Sequence, residues 1–212
     1  MGAKRAATIV GFAIALAALL LQFGLTIDNR LAGGDSLVGA LVFYFSFFTI
    51  LSNLIVAAIY LSDLVAWRWL GWWREPWVRG MMAGAIVLVM VVVHFLLFGL
   101  ADINIWFVIA DRTLHYVDPV FYALWWVLFQ GHGRLAWRDL PKMLAYPLLY
   151  LIWAMSRGAV VNEYPYPFLA ANALGYPQVV VNALLILCGF LALYAVVIAL
   201  DRWLGRRSLR AA

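Results

Sequence analysis

The sequence predicts an all-α polytopic membrane protein, a six-transmembrane-helix bundle forming one domain over residues 1–212 with both termini cytoplasmic. Three observations carry that expectation. The chain is 67% hydrophobic and only 12% charged, which leaves too little polar surface for a soluble domain. Its apolar residues gather in six runs, each near the roughly 20 residues that a hydrocarbon core of about 30 Å requires of a helix. The net charge of +5 is spread in short basic groups between those runs and forms no stripe, a pattern of membrane topology and not of a nucleic-acid partner.

The first run, near 7–27, follows Lys4 and Arg5 and reaches Asp28 without a small-residue cleavage site, so it reads as a retained helix and not a removed signal. The others lie near 38–62, 80–100, 113–129, 141–157 and 178–200. The fourth and fifth are short at 17 residues each, and "INIWFVIA" (103–110) either extends the fourth or lies in the interface. Six spans put both termini on one side. Twelve of the fifteen basic residues fall on that side, leaving Arg30, Arg112 and Arg157 on the other, so the positive-inside bias makes the termini cytoplasmic. The tryptophans of "WRWLGWWREPW" (67–77) then form a cytoplasmic interfacial belt. The lone Cys188 supports no disulfide framework or cysteine-rich metal site, and the two halves of the chain show no convincing inverted repeat.

Polar groups inside a bilayer must be hydrogen-bonded or face a protein interior. The second run carries "FSFFTILSNL" (45–54), in which Ser46, Thr49 and Asn53 share one face of a continuous helix and Ser52 lies beside it. Such residues commonly serve as glue between spans. Histidine within a span is scarcer and points to function. His94 lies about 9 Å from the outer end of the third span, Thr49 about 16 Å down the second, and His115 near the outer end of the fourth. All three fall in the outer half of the bilayer. His132, in the loop "FQGHGR" (129–134), reads as solvated.

A hydroxyl attacks poorly at neutral pH unless an imidazole takes its proton, and a third group often orients that imidazole. Asp111 at i−4 and Asp118 at i+3 lie on the helical face of His115 and are candidates for this; each is equally placed as an interface charge, with Asp111 also beside a helix start. Asn53 and Ser46 are candidate oxyanion donors or polar-core residues. In "SRGAVVNEYPYPF" (156–168), Arg157 either pairs with a lipid carboxylate or anchors the interface. Pro165 and Pro167 favour an extended connection able to fold over the mouth of a cavity.

The threonine in "FFTILSNL", the histidine four residues before a proline in "HYVDPVFYALWW" (115–126), and "YPLLYLIWAMSRG" (146–158) followed by "EYPYPFL" (163–169) together resemble one family. It is that of the androgen-induced membrane proteins and the androgen-dependent regulator of tissue factor pathway inhibitor, especially six-span bacterial relatives. The resemblance runs from about residue 10 to 205. It implies a membrane threonine hydrolase of the bacterial inner membrane acting on fatty acid esters of hydroxy fatty acids, with Thr49 as nucleophile, His115 as its partner and no cofactor. Animal members carry an acidic residue farther along the histidine's helix, where this chain has Trp125 and Trp126.

On this reading a lipid ester enters sideways from the bilayer into a mostly apolar cavity with a few convergent polar groups. Two other classes stay open from the residues alone. His94 and His115 on neighbouring spans are a possible ligand pair for haem iron, and a lipid or metabolite carrier would need broken helices near the midplane.

Overall fold

The computed structural model describes residues 2–65, 67–97 and 104–211. Among these the chain is helical, with no strand: α1 (Ala3–Ala32), α2 (Leu37–Tyr44), α3 (Phe48–Leu64), α4 (Pro76–Val92), α5 (Ile105–Arg112), α6 (Asp118–Phe129), α7 (Leu140–Val161), the short α8 (Ala171–Leu174) and α9 (Tyr176–Ala211). Four helical stretches are long and apolar enough to cross a bilayer: Ala3–Ala32, Pro76–Leu97, Trp137–Val161 and Tyr176–Arg207. The bent pair α2 and α3 makes a fifth if counted as one span. This is the architecture of a membrane protein. The stretch expected as the fourth span is helical from Ile105 to Phe129 without leaving helical backbone angles, but Asp111, Arg112 and Asp118 lower its apolar character. The end assigned to the third span, residues 98–100, lies outside the described residues.

The second run departs from expectation. Instead of one helix over 38–62, α2 and α3 meet at 74°. No proline or glycine stands at the break, so the cause lies elsewhere. Ser46 turns its hydroxyl back to the Val42 carbonyl at 2.5 Å, a bond that bends helices, and Tyr150 reaches across from α7 to bond the Ser46 carbonyl at 2.9 Å. Groups freed by the break are thereby satisfied, which a bilayer interior demands. Ser46 therefore falls outside α3 and does not share a helical face with Thr49.

The Pro76–Leu97 stretch is the central one and the most buried of the four. It packs on α3, α6 and α9, while α1 covers α3 and α7 leans on α9. Small residues set the approach: a Cβ on Gly84 would stand 2.6 Å from the Tyr194 ring. Arg79, buried on α4, pairs with Asp63 and Gln130, and Lys4 meets Asp63 at 3.1 Å, so the start of α1 joins the end of α3. Arg74 closes α3 by donating to the Ser62 and Val65 carbonyls, each at 2.8 Å. Trp67, Trp69 and Trp72 stand exposed at this end.

His132 is not solvated. Its Nδ1 lies 3.2 Å from Asp201 Oδ1 and its Nε2 2.9 Å from the Val127 carbonyl. Asp201 also accepts from Leu135 N–H at 2.8 Å, and its carbonyl from Gly133 N–H at 3.0 Å. This clamp seats the loop after α6 on α9 through backbone contact between Gly133 (φ +79°) and Gly205. A Cβ at 205 would lie 2.4 Å from Gly133 Cα, with no flexible side chain to move aside. Gly205→Ala is expected to cost about 1–3 kcal/mol, as overpacking does, read as a lower melting temperature of the detergent-solubilised protein; an unchanged transition contradicts the tight approach.

Candidate active site

The break between α2 and α3 places Thr49 on the first turn of α3. Phe47 caps that helix without a side-chain hydrogen bond, so its first-turn N–H groups find partners elsewhere, Thr49 N–H on the Tyr166 hydroxyl at 3.4 Å, with the positive end of the helix dipole behind them. Thr49 is buried, 5% exposed.

His115 arrives from a different irregularity. Pro119 lacks an N–H, and its ring clashes with the carbonyl four residues back, which is that of His115. The helix widens there into a π turn over Thr113–Val117 that joins α5 to α6, a feature frequent at functional sites. The wide turn is held to α3 by Asn53, whose Nδ2 donates to the Thr49 carbonyl at 2.9 Å and the Leu114 carbonyl at 3.3 Å.

The two side chains meet. Thr49 Oγ1 is 3.1 Å from His115 Nε2, and His115 Nδ1 is 2.8 Å from Asp111 Oδ1 and 2.9 Å from the Asp111 carbonyl. Two acceptors at Nδ1 place the proton there, leaving Nε2 to accept from the threonine hydroxyl. Of the two candidate acids, Asp111 is therefore the one that engages the imidazole. Asp118 is buried, and its Oδ2 has no hydrogen-bond partner.

Other expected site residues fall differently. Asn53 spends both amide protons on backbone carbonyls and keeps none for an oxyanion; it ties the helix of Thr49 to the turn that carries His115. Ser46 spends its hydroxyl on Val42. His94 sits exposed in a second π turn, Val93–Leu97, against the rings of Phe95 and Tyr116, and lines neither cavity described below. Arg157 is buried and neutralised: Nη1 donates to the Glu163 carbonyl and Nη2 to its carboxylate, both at 2.6 Å. Arg30 takes the other carboxylate oxygen at 2.7 Å. Trp125 donates to Thr8 at 2.9 Å, which makes it a link between α6 and α1. Among the described residues, no group of three or more His, Cys, Asp or Glu side chains could hold a metal ion.

Two cavities meet at Thr49 and Tyr166. One, of about 300 Å³, is almost wholly apolar, with Phe48, Leu88, Pro147, Leu184 and Phe190 among its walls. The other, of about 440 Å³, is more polar and is lined by Gln22, Asn29, Arg30, Asp111, Arg112 and His115. Pro165, Tyr166 and Pro167 line the second, so the connection after α7 forms part of its wall. Tyr166 was legible only as one aromatic in a proline-rich connection, since the sequence does not say which ring of "EYPYPF" turns inward. Gly158 lets that connection settle, because a Cβ there would stand 2.2 Å from the Tyr164 ring.

No protein-family model, curated protein or solved structure matches this chain.

Glu163 fastens the connection. Burial alone would raise its pKa, but the guanidiniums of Arg157 and Arg30 hold it below the ordinary value of 4.5. The stability it contributes is thus complete above about pH 4.5 and is lost as pH falls through the depressed value. Glu163→Gln is expected to lower the melting temperature at neutral pH, with the gap to wild type closing on acidification below that point. A gap that is flat with pH contradicts the pairing.

Proposed function

We propose that the protein is an intramembrane lipid-ester hydrolase with Thr49 as nucleophile and His115 as general base. The observation that carries this reading is the relay from Thr49 Oγ1 through His115 to Asp111, set where an apolar cavity and a polar one join. A lone threonine or a lone histidine in a membrane helix is ordinary packing; a hydroxyl, imidazole and carboxylate in series, opening on a cavity, is the arrangement of an activated nucleophile.

In the first step Thr49 Oγ attacks the ester carbonyl carbon while its proton passes to His115 Nε2. The carbonyl π pair moves onto oxygen, and the Thr49 N–H at the start of α3 stabilises that charge, as a nucleophile's own backbone N–H does in serine hydrolases. Collapse breaks the bond to the alcohol oxygen, which takes the proton from the imidazolium. Water then adds to the acyl-threonine with His115 again taking a proton, and the released hydroxyl of Thr49 receives it. Asp111 holds the imidazole in its working tautomer throughout.

The substrate class is a long-chain ester, the acyl chain in the 300 Å³ cavity and the alcohol portion toward the polar one, with fatty acid esters of hydroxy fatty acids or similar lipid esters as the first to try. The 300 Å³ cavity is walled almost wholly by apolar side chains, which suits a substrate that enters from the bilayer. On this reading Ile105–Phe129 completes six spans in a bacterial inner membrane. Lys4, Arg74 and Arg79 with the exposed tryptophans mark the cytoplasmic end, and Arg30, Arg112 and Arg157 mark the outer end near the site.

Thr49→Ala and His115→Ala are each expected to abolish turnover of a lipid ester by the purified, monodisperse protein, and a fluorophosphonate probe is expected to label wild type on Thr49 by peptide mass mapping. Full activity in Thr49→Ala overturns the assignment. Asp111→Asn is expected to lower kcat by about 10²-fold, less than the ~10⁴-fold seen where a carboxylate alone sets the tautomer, because the Asp111 carbonyl still accepts from Nδ1.

A further inference from the structure

The hydroxyl of Tyr166 lies 3.4 Å from Thr49 N, whose N–H it accepts, and 3.5 Å from Thr49 Oγ1. It therefore occupies the space beside the nucleophile where an ester carbonyl oxygen would have to sit to reach the first-turn N–H. Its ring is aimed there by contacts that do not involve the hydroxyl. It stacks on Phe168 with centroids 5.0 Å apart and planes at 6°, and meets Phe47 edge-on at 5.8 Å. The ring lines both cavities, at their junction.

The two side chains first considered as oxyanion donors are spent: Asn53 on the Thr49 and Leu114 carbonyls, Ser46 on the Val42 carbonyl. Backbone N–H groups leave room for one more donor in a site where charge develops away from water. We infer that Tyr166 is a further catalytic residue of the proposed hydrolase, its phenol O–H donating to the oxyanion beside the Thr49 N–H.

The inference rests on the threonine-hydrolase reading. The hydroxyl also bonds the Tyr150 side chain and the Phe48 backbone, and its two contacts with Thr49 are long, as catalytic hydrogen bonds often are before substrate arrives. A carbonyl oxygen entering between Tyr166 Oη and Thr49 N accepts from both. As Thr49 Oγ bonds to the carbonyl carbon and its proton goes to His115 Nε2, the π pair localises on that oxygen. The phenol keeps its own proton throughout and is neither acid nor nucleophile. When the tetrahedral species collapses, the pair returns to the carbonyl and Tyr166 regains its contact with Thr49.

The test compares full-length wild type with Tyr166→Phe in detergent micelles, using 4-nitrophenyl octanoate as substrate. An octyl trifluoromethyl ketone serves as a probe that becomes tetrahedral on Thr49, and octanamide as one that stays trigonal. Tyr166→Phe keeps the ring and both of its aromatic contacts. Loss of the donor is expected to lower kcat by about 10²–10³-fold with KM within about twofold, and to weaken the ketone by a similar factor while octanamide binding is unchanged. Wild-type kcat in Tyr166→Phe overturns the inference, as does an equal loss of ketone and octanamide binding, which is the mark of a packing role. Fluorophosphonate labelling separates the two levels: Thr49 labelled in wild type with Tyr166→Phe fully active removes only the tyrosine, whereas unlabelled, inactive wild type removes the hydrolase and the tyrosine together. If Tyr166→Phe does not fold, 3,5-difluorotyrosine at 166 keeps the shape and lowers the phenol pKa. The loss of activity on the alkaline side, where the phenol ionises, is expected to begin at lower pH than in wild type, and a pH profile identical to wild type overturns the inference.

Discussion

A chain in a bilayer must satisfy its backbone polar groups from within, and the site depends on how this protein does so at one interrupted helix. Between Tyr44 and Phe48 the ladder stops. Tyr150 takes the Ser46 carbonyl, the Ser46 hydroxyl takes that of Val42, and Tyr166 takes the Thr49 N–H. Each partner comes from a side chain, two of them from the α7 side of the bundle. The interruption is therefore stable only in the assembled fold, and it leaves a helix N-terminus, its N–H groups met by side chains and its positive dipole end behind them, beside a cavity. A continuous helix would have buried that same backbone in its own hydrogen bonds and left Thr49 as a packing residue.

The second irregularity complements the first. Pro119 forces the π turn that carries His115, and Asn53 ties the backbone of that turn to the backbone at Thr49. Two distortions on neighbouring helices are thus locked in register by one amide. This coupling explains why a hydroxyl and an imidazole 66 residues apart stand at hydrogen-bond distance. Asn53 shapes the site without facing it, which is a different role from that of an oxyanion donor but no less tied to the geometry.

The connection after α7 is the third part of the construction. Arg157 is buried, and its charge is tolerable only because Glu163 faces it, with Arg30 on the other carboxylate oxygen. That network fixes the loop to α1 and α7 and so sets where Tyr166 points. Burying Arg157 thereby fixes that wall of the cavity, and its guanidinium already has a carboxylate partner in Glu163.

The sequence by itself determined the class of molecule and the candidates. Hydrophobic runs of spanning length follow from composition, and four of the basic residues meet in pairs, Lys4 and Arg79 at Asp63, Arg30 and Arg157 at Glu163. Thr49 and His115 stood out because polar groups are costly in lipid, and that cost is a property of residue type. Tertiary structure decided the rest. The bend at Ser46 has no proline or glycine to announce it, and one of the two bonds that support it comes from a tyrosine more than a hundred residues away in the chain. The choice of Asp111 over Asp118 depended on the π turn, which changes the angular offset that ordinary helical spacing assumes. The clamp of His132 on Asp201 and the inward turn of Tyr166 are long-range pairings. Periodicity reports which face a residue occupies on its own helix, whereas hydrogen-bond partners across the bundle are fixed only when the helices are packed.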